Sequence, residues 1–143
     1  MPVPNPNLYP DFNIVRLSHV ELGVSNLNES KHFYSEILGL QITYETDQEI
    51  FFRAMEERGH HCVILKKSKS KDINLLAFKV FSESDLQKAE IWFLSKGLPT
   101  KWVERPFQGR TLRTQDIHGI PLEFYFKMDR LPSIHQKYML FAK

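Results

Sequence analysis

The sequence predicts an α+β fold in which two strand–helix–strand–strand–strand repeats share one cupped, eight-stranded mixed sheet. Three observations carry this. The segment HVELGV is followed by LNESKHFYSEILGL and then by HHCVILKK, and the same order returns as LLAFKV, LQKAEIWFLSKGL and IPLEFYF. In both copies a glycine closes the helix-like segment. Neither half can cover the concave face of its own sheet, so the two are expected to pair about a pseudo-twofold axis.

Residues 1–14 read as an extended arm, because Pro2, Pro4, Pro6 and Pro10 remove backbone donors. Residues 15–24 are dominated by apolar side chains and form the first strand. Asn26 caps a helix, with Glu29 completing a box-like pair. Leu27, Ser30, Phe33, Tyr34, Ile37 and Leu38 recur at helical spacing, and Gly39 supplies the left-handed stop. Strands are expected over 40–45, 49–55 and 62–66. The polar stretch KKSKSKD reads either as an anion-binding run or as a solvated connector. The connector is favoured, since no aromatic residue interleaves the lysines.

The second half opens with a strand over 75–81. Ser84 with Gln87 reads as a capping box. Leu86, Ala89, Trp92 and Phe93 form an apolar helix face that ends at Gly97. Strands follow over 101–105, 110–114 and 121–127, with Asp116 and Gly119 bracketing the last turn. The module thus spans 15–130, with repeats at 15–67 and 73–128. Residues 131–143 form a tail, helical over 131–141.

Composition narrows the function classes. The chain has 143 residues, 42% of them apolar and 25% charged, which suits one soluble globular domain. A formal charge of +2 is too small to point to nucleic acid or a membrane surface. No apolar run reaches membrane-spanning length, and the Pro-rich start is unlike a signal peptide. A single cysteine, Cys62, fits a reducing, cytoplasmic setting. No nucleophile elbow or phosphate-cradling glycine loop is present.

The run HVELGVSNLNESKHFYSEILGL and the closing DIHGIPLEF resemble the vicinal oxygen chelate superfamily of glyoxalases, bleomycin-resistance proteins and extradiol dioxygenases. YETDQEIFFRAMEERGHHCVILKK and HQKYMLFAK are similar to the amino-terminal module of catechol and homoprotocatechuate 2,3-dioxygenases. The resemblance implies a non-catalytic module, with the tail leading to a missing second module. That second module would hold Fe(II) or Mn(II) and open a catechol ring with dioxygen. It also implies a catecholic substrate and a homo-oligomer for the intact enzyme.

In this superfamily the metal ligands come from the first and last strands of each half. The first-strand positions here are His19 and Leu75, offset by 56 (75 − 19). The last-strand positions are taken as Cys62, or His61 beside it, and Glu123, offset by 61 (123 − 62). Ring-cleaving dioxygenases need two histidines and a carboxylate on one face of the metal. Leu75 deletes one histidine, so no catalytic, cofactor or metal site is expected in this chain. His19, Glu123 and His61 remain as vestigial metal candidates.

Each also has a plainer reading. His19 is then a histidine satisfied by a polar neighbour, and Glu123 a carboxylate paired with Arg113 or Arg53. His60 and His61, on a strand, point to opposite faces, one towards the cup and one to the surface. Cys62 reads as packing rather than as a reactive thiol. His32, His118 and His135 carry no assigned role. In Phe124-Tyr125-Phe126 the outer two rings share a face. Two alternatives stay open: a free-standing glyoxalase-like metalloenzyme using His19 and Glu123, and a bleomycin-resistance-like protein holding an aromatic ligand in the cup.

Overall fold

The computed structural model describes residues 5–134. The expected tail helix over 131–141 and His135 lie largely or wholly outside that range. The elements run in chain order as two matching sets. The first is β1 (Ile14–Val24), α1 (Leu27–His32) continued by a π-helical turn (Phe33–Ile37), β2 (Gln41–Glu45), β3 (Glu49–Arg53) and β4 (Val63–Lys67). The second is β5 (Ile73–Val80), α2 (Glu83–Ser95), β6 (Lys101–Arg105), β7 (Gly109–Gln115) and β8 (Pro121–Tyr125).

All eight strands join in one mixed sheet of order β2-β3-β4-β1-β5-β8-β7-β6. Each half is a three-strand antiparallel set closed by a parallel pair, β1 with β4 and β5 with β8. The halves meet where β1 and β5 run antiparallel, with Val20 opposite Leu76. The helix N-caps Asn26 and Ser82 stand 56 residues apart (82 − 26), and with that offset the equivalent residues Val20 and Leu76 face each other across the seam. The two repeats inferred from the sequence are therefore the two halves of the sheet.

The helices pack on one face. α2 buries Leu86, Ala89 and Phe93 against Val80, Leu112 and Phe124, and Phe12 from the preceding arm packs edge-on to Trp92 and Phe124. Its capping box is formed by Ser82 and Asp85, two residues earlier than the expected Ser84 and Gln87. Asp85 is chosen because it is buried and also accepts from the backbone and side chain of Asn13, ties that Gln87 has no way to make from the exposed side.

The first helix departs from its expected uniform face. It turns π-helical at Phe33, where Leu38 N–H donates to the Phe33 carbonyl at 2.9 Å. An i→i+5 turn rotates the residues after it out of α register. Leu27 and Tyr34 still pack on Ile50, Phe52 and Leu65, but Phe33, Ile37 and Leu38 are exposed.

The opposite, concave face of the sheet forms the cup. Strand alternation sends His19 and Glu21 of β1, Leu75 and Ala77 of β5, and Glu123 of β8 to this side, all of them buried. Phe124 and Phe126 share the helix face while Tyr125 turns towards the cup, where it meets Ser18 and His19.

Candidate functional site

The register of the sheet explains how the candidate residues meet. His19 lies opposite Ala77, Ala77 lies beside Glu123, and Glu123 lies opposite Arg113. Four strands thus contribute one row across the cup. Adjacent strands lie about 4.8 Å apart, so His19 and Glu123 are two strand spacings from one another at the backbone. Ala77 is too short to fill the gap between them. The two long side chains lean over it, bringing His19 Nε2 to 3.9 Å from Glu123 Oε1.

Both side chains are fully buried. Glu123 is held by cations from two strands. Arg113 Nε donates to its Oε2 at 2.8 Å, and Arg105 Nε lies 3.4 Å from the same oxygen. Gln108 Nε2 reaches Oε1 at 3.5 Å. Arg105 also donates to Glu21 at 2.7 Å, and Glu21 accepts from Asn74 at 3.2 Å. Of the two bases considered for Glu123 from sequence, Arg113 is the partner. Arg53 instead donates to Gln41 and to the Pro132 carbonyl. Sequence reasoning misses Arg105, because its strand joins the sheet two positions away from β8 and nothing local in the sequence marks the reach.

The histidines gather at the β1 end of the row. His19 Nδ1 shares a 3.1 Å hydrogen bond with Ser18 Oγ, which is also bonded to the Tyr125 hydroxyl. His61 packs edge-on to His19 with ring centroids 4.6 Å apart. His60 and His61 precede β4 in an irregular segment, so strand alternation does not separate them. Both are buried, their Nδ1 atoms 3.1 Å apart, and His60 stacks on Phe107 at 3.7 Å. The expected surface position for one of them is therefore not seen.

Burial, aided by the nearby Arg105 guanidinium, lowers the His19 pKa to about 3. Burial, with His19 and His60 as neighbours, lowers that of His61 to about 2. Both rings are neutral at pH 7. Burial likewise raises the Cys62 thiol above its ordinary value, which makes it a poor nucleophile at neutral pH.

The register also corrects the pairing of last-strand positions. Val63 pairs with Val20 as Leu122 pairs with Leu76, so the offset is 59 (122 − 63). The position related to Glu123 is then Ile64 (123 − 59), not Cys62 or His61. The expected value of 61 counted loop residues that do not enter the ladder. The four related positions are His19, Ile64, Leu75 and Glu123, and two of them are apolar.

These residues do not fit a divalent metal ion. The one carboxylate that faces His19 already carries two guanidinium partners, which would repel a second cation from the same oxygen. Among the described residues no group of three or more His, Cys, Asp or Glu side chains has the geometry to hold one.

The fold and the repeated site positions define a protein class. A model of the Glyoxalase/Bleomycin resistance protein/Dioxygenase superfamily matches residues 16–124, and the chain belongs to that superfamily. Among solved structures it is similar to a Y257F variant of homoprotocatechuate 2,3-dioxygenase from B. fuscum. The TM-score is 0.87 at 32% identity, covering 97% of this chain and 39% of that one.

Among curated proteins it is 25% identical over 120 residues to a manganese-dependent 2,3-dihydroxybiphenyl 1,2-dioxygenase of Geobacillus genomosp. 3. That match covers 82% of this chain and 38% of the relative. It is 23% identical over 121 residues to a metapyrocatechase of Geobacillus stearothermophilus, covering 84% and 37%. The chain therefore spans well under half the length of the relatives it matches.

Proposed function

We propose that this chain is the non-catalytic amino-terminal module of an extradiol catechol dioxygenase, and that the metal and the catechol bind in a second module outside this sequence. The observation that carries the reading is the pair of guanidiniums on Glu123, together with Leu75 and Ile64 at two of the four related positions. A carboxylate committed to Arg105 and Arg113 serves as a structural ion pair. The share of the relatives covered, 37–39%, is what one of two such modules would give.

On this reading the parent enzyme binds Fe(II) or Mn(II), cleaves a catecholic substrate with dioxygen, and works as a homo-oligomer in the cytoplasm. This module supports the catalytic one and contributes to subunit contacts. No helix among the described residues is long and apolar enough to cross a membrane.

The test is anaerobic calorimetry of this chain with Fe(II) and Mn(II), paired with oxygen uptake in the presence of 3,4-dihydroxyphenylacetate. The expected result is no saturable metal binding and no oxygen consumption. One-to-one binding lost in Glu123→Ala, with ring cleavage, would make the chain an enzyme in its own right and overturn the reading.

A further inference from the structure

The rim of the cup holds a cavity of about 190 Å³ that the ion-pair row does not use. Its lining includes four cations, Arg16, Lys79, Arg58 and Arg130, drawn from β1, β5 and two loops. One carboxylate, Glu57, faces them. Glu57 is already committed, since it pairs with Arg16 and accepts from Gly59 N–H at 2.7 Å. Among the described residues, Lys79, Arg58 and Arg130 have no carboxylate within ion-pair distance. The lining carries a net charge of +3 with its histidine neutral (four cations less one anion).

The convergence of charge is built by the backbone. The loop before β4 is stapled to the segment after β8 by an antiparallel bridge of Gly59 with Arg130. His60 N–H donates to the Asp129 carbonyl at 2.8 Å, and Leu131 N–H donates to the Arg58 carbonyl at 2.9 Å. Arg58 and Arg130 are thus neighbours because their main chains are joined. Gly59 lies close under the ends of the Glu57 and Met128 side chains. A Cβ there would lie 3.0 Å from Glu57 Oε1 and 3.1 Å from Met128 Sδ. The floor is polar, formed by Ser18, Tyr125 and His61.

Like charges held together in a concave site repel one another and focus a positive potential into it. An anion placed there removes that repulsion and gains charge-assisted hydrogen bonds from guanidinium forks. We infer that this cavity, formed by Arg58, Lys79 and Arg130 above Ser18 and Tyr125, is a binding site for a small oxyanion. The ligand is a phosphate or a carboxylate group, and the volume admits little beyond the charged group and a few waters.

The experiment is a titration of the ¹⁵N-labelled chain with inorganic phosphate at constant ionic strength, followed by amide NMR, with acetate as a parallel arm. The expected result is saturable shifts centred on Gly59, Lys79 and Met128, with Arg58→Gln/Arg130→Gln weakening binding about tenfold or more. Both side chains are exposed, so that variant keeps its core, and its spectrum checks this. Saturation by phosphate alone assigns a phosphate site, and saturation by acetate as well assigns a general carboxylate and phosphate site. Shifts that grow linearly, that scatter over the lysines of 66–71, or that persist unchanged in the double variant would overturn the inference.

Discussion

Arg113 and Glu123 face each other directly across β7 and β8, and the guanidinium Nε lies 2.8 Å from the carboxylate. One end of this pair is fully buried and the other is 40% exposed. The asymmetry means that the carboxylate depends on the arginines far more than they depend on it.

Removing Glu123 should therefore cost mainly its own packing. Glu123→Ala leaves a cavity in a fully buried position, while Arg105 keeps Glu21 and Arg113 turns to solvent, so the loss should be about 2–4 kcal/mol. Arg113→Gln should cost about 1 kcal/mol, because solvent screens that side and Arg105 remains. Urea unfolding of the two variants checks the order. Equal losses would show that Arg113 carries the network alone.

Ala77 separates His19 from Glu123, and its small size is what lets them approach. Ala77→Leu places three heavy atoms in a fully packed row and should destabilise the fold by about 1–3 kcal/mol. Thermal unfolding measures it. A neutral outcome would mean that the row has slack its burial does not reveal.

Acid should weaken the fold before most carboxylates titrate. The unfolded chain binds protons at His19 and His61 near pH 6.5, whereas the folded chain refuses them until about pH 3 and about pH 2. Their contribution is complete above pH 6.5 and is lost as the pH falls below it, at about 1.4 kcal/mol per pH unit for each ring. Urea midpoints between pH 7.5 and 5 should fall accordingly, and His61→Gln should flatten the slope. A flat profile in the unaltered chain would contradict neutral buried rings.

Leu75→His restores an imidazole at the position related to His19. It should not create Mn(II) binding, because Arg105 and Arg113 still occupy the carboxylate. Calorimetry decides this. Uptake by the single variant would identify the missing histidine, not the guanidiniums, as the barrier.

The strands, both helices and the seam between halves were legible in the sequence, because a repeated pattern reports on topology twice. His19, Leu75 and Glu123 were legible for the same reason. Other features were not, among them the capping box of α2 at Ser82 and Asp85 and the relation of Ile64 to Glu123. The π turn at Phe33 has no local signal in the sequence, whose apolar spacing reads as one continuous α-helix. The place of His60 and His61 depended on whether residues 54–62 continue a strand, and they do not. Arg105 reaches Glu123 from the outermost strand of its half, a contact set by the curvature of the sheet.

The ladder has a consequence for how the chain assembles. β1 is made first, yet its neighbours in the sheet are β4 and β5, whose partners to Val20 come 43 and 56 residues later (63 − 20, 76 − 20). The β2–β3 and β3–β4 hairpins close locally, and β1 must wait. During synthesis its apolar residues Val20, Leu22 and Val24 have no strand partner until β4 emerges, and the other edge of β1 stays open until β5 does. β1 is therefore the strand whose pairing with β5 closes the longest stretch of chain between neighbouring strands of the sheet.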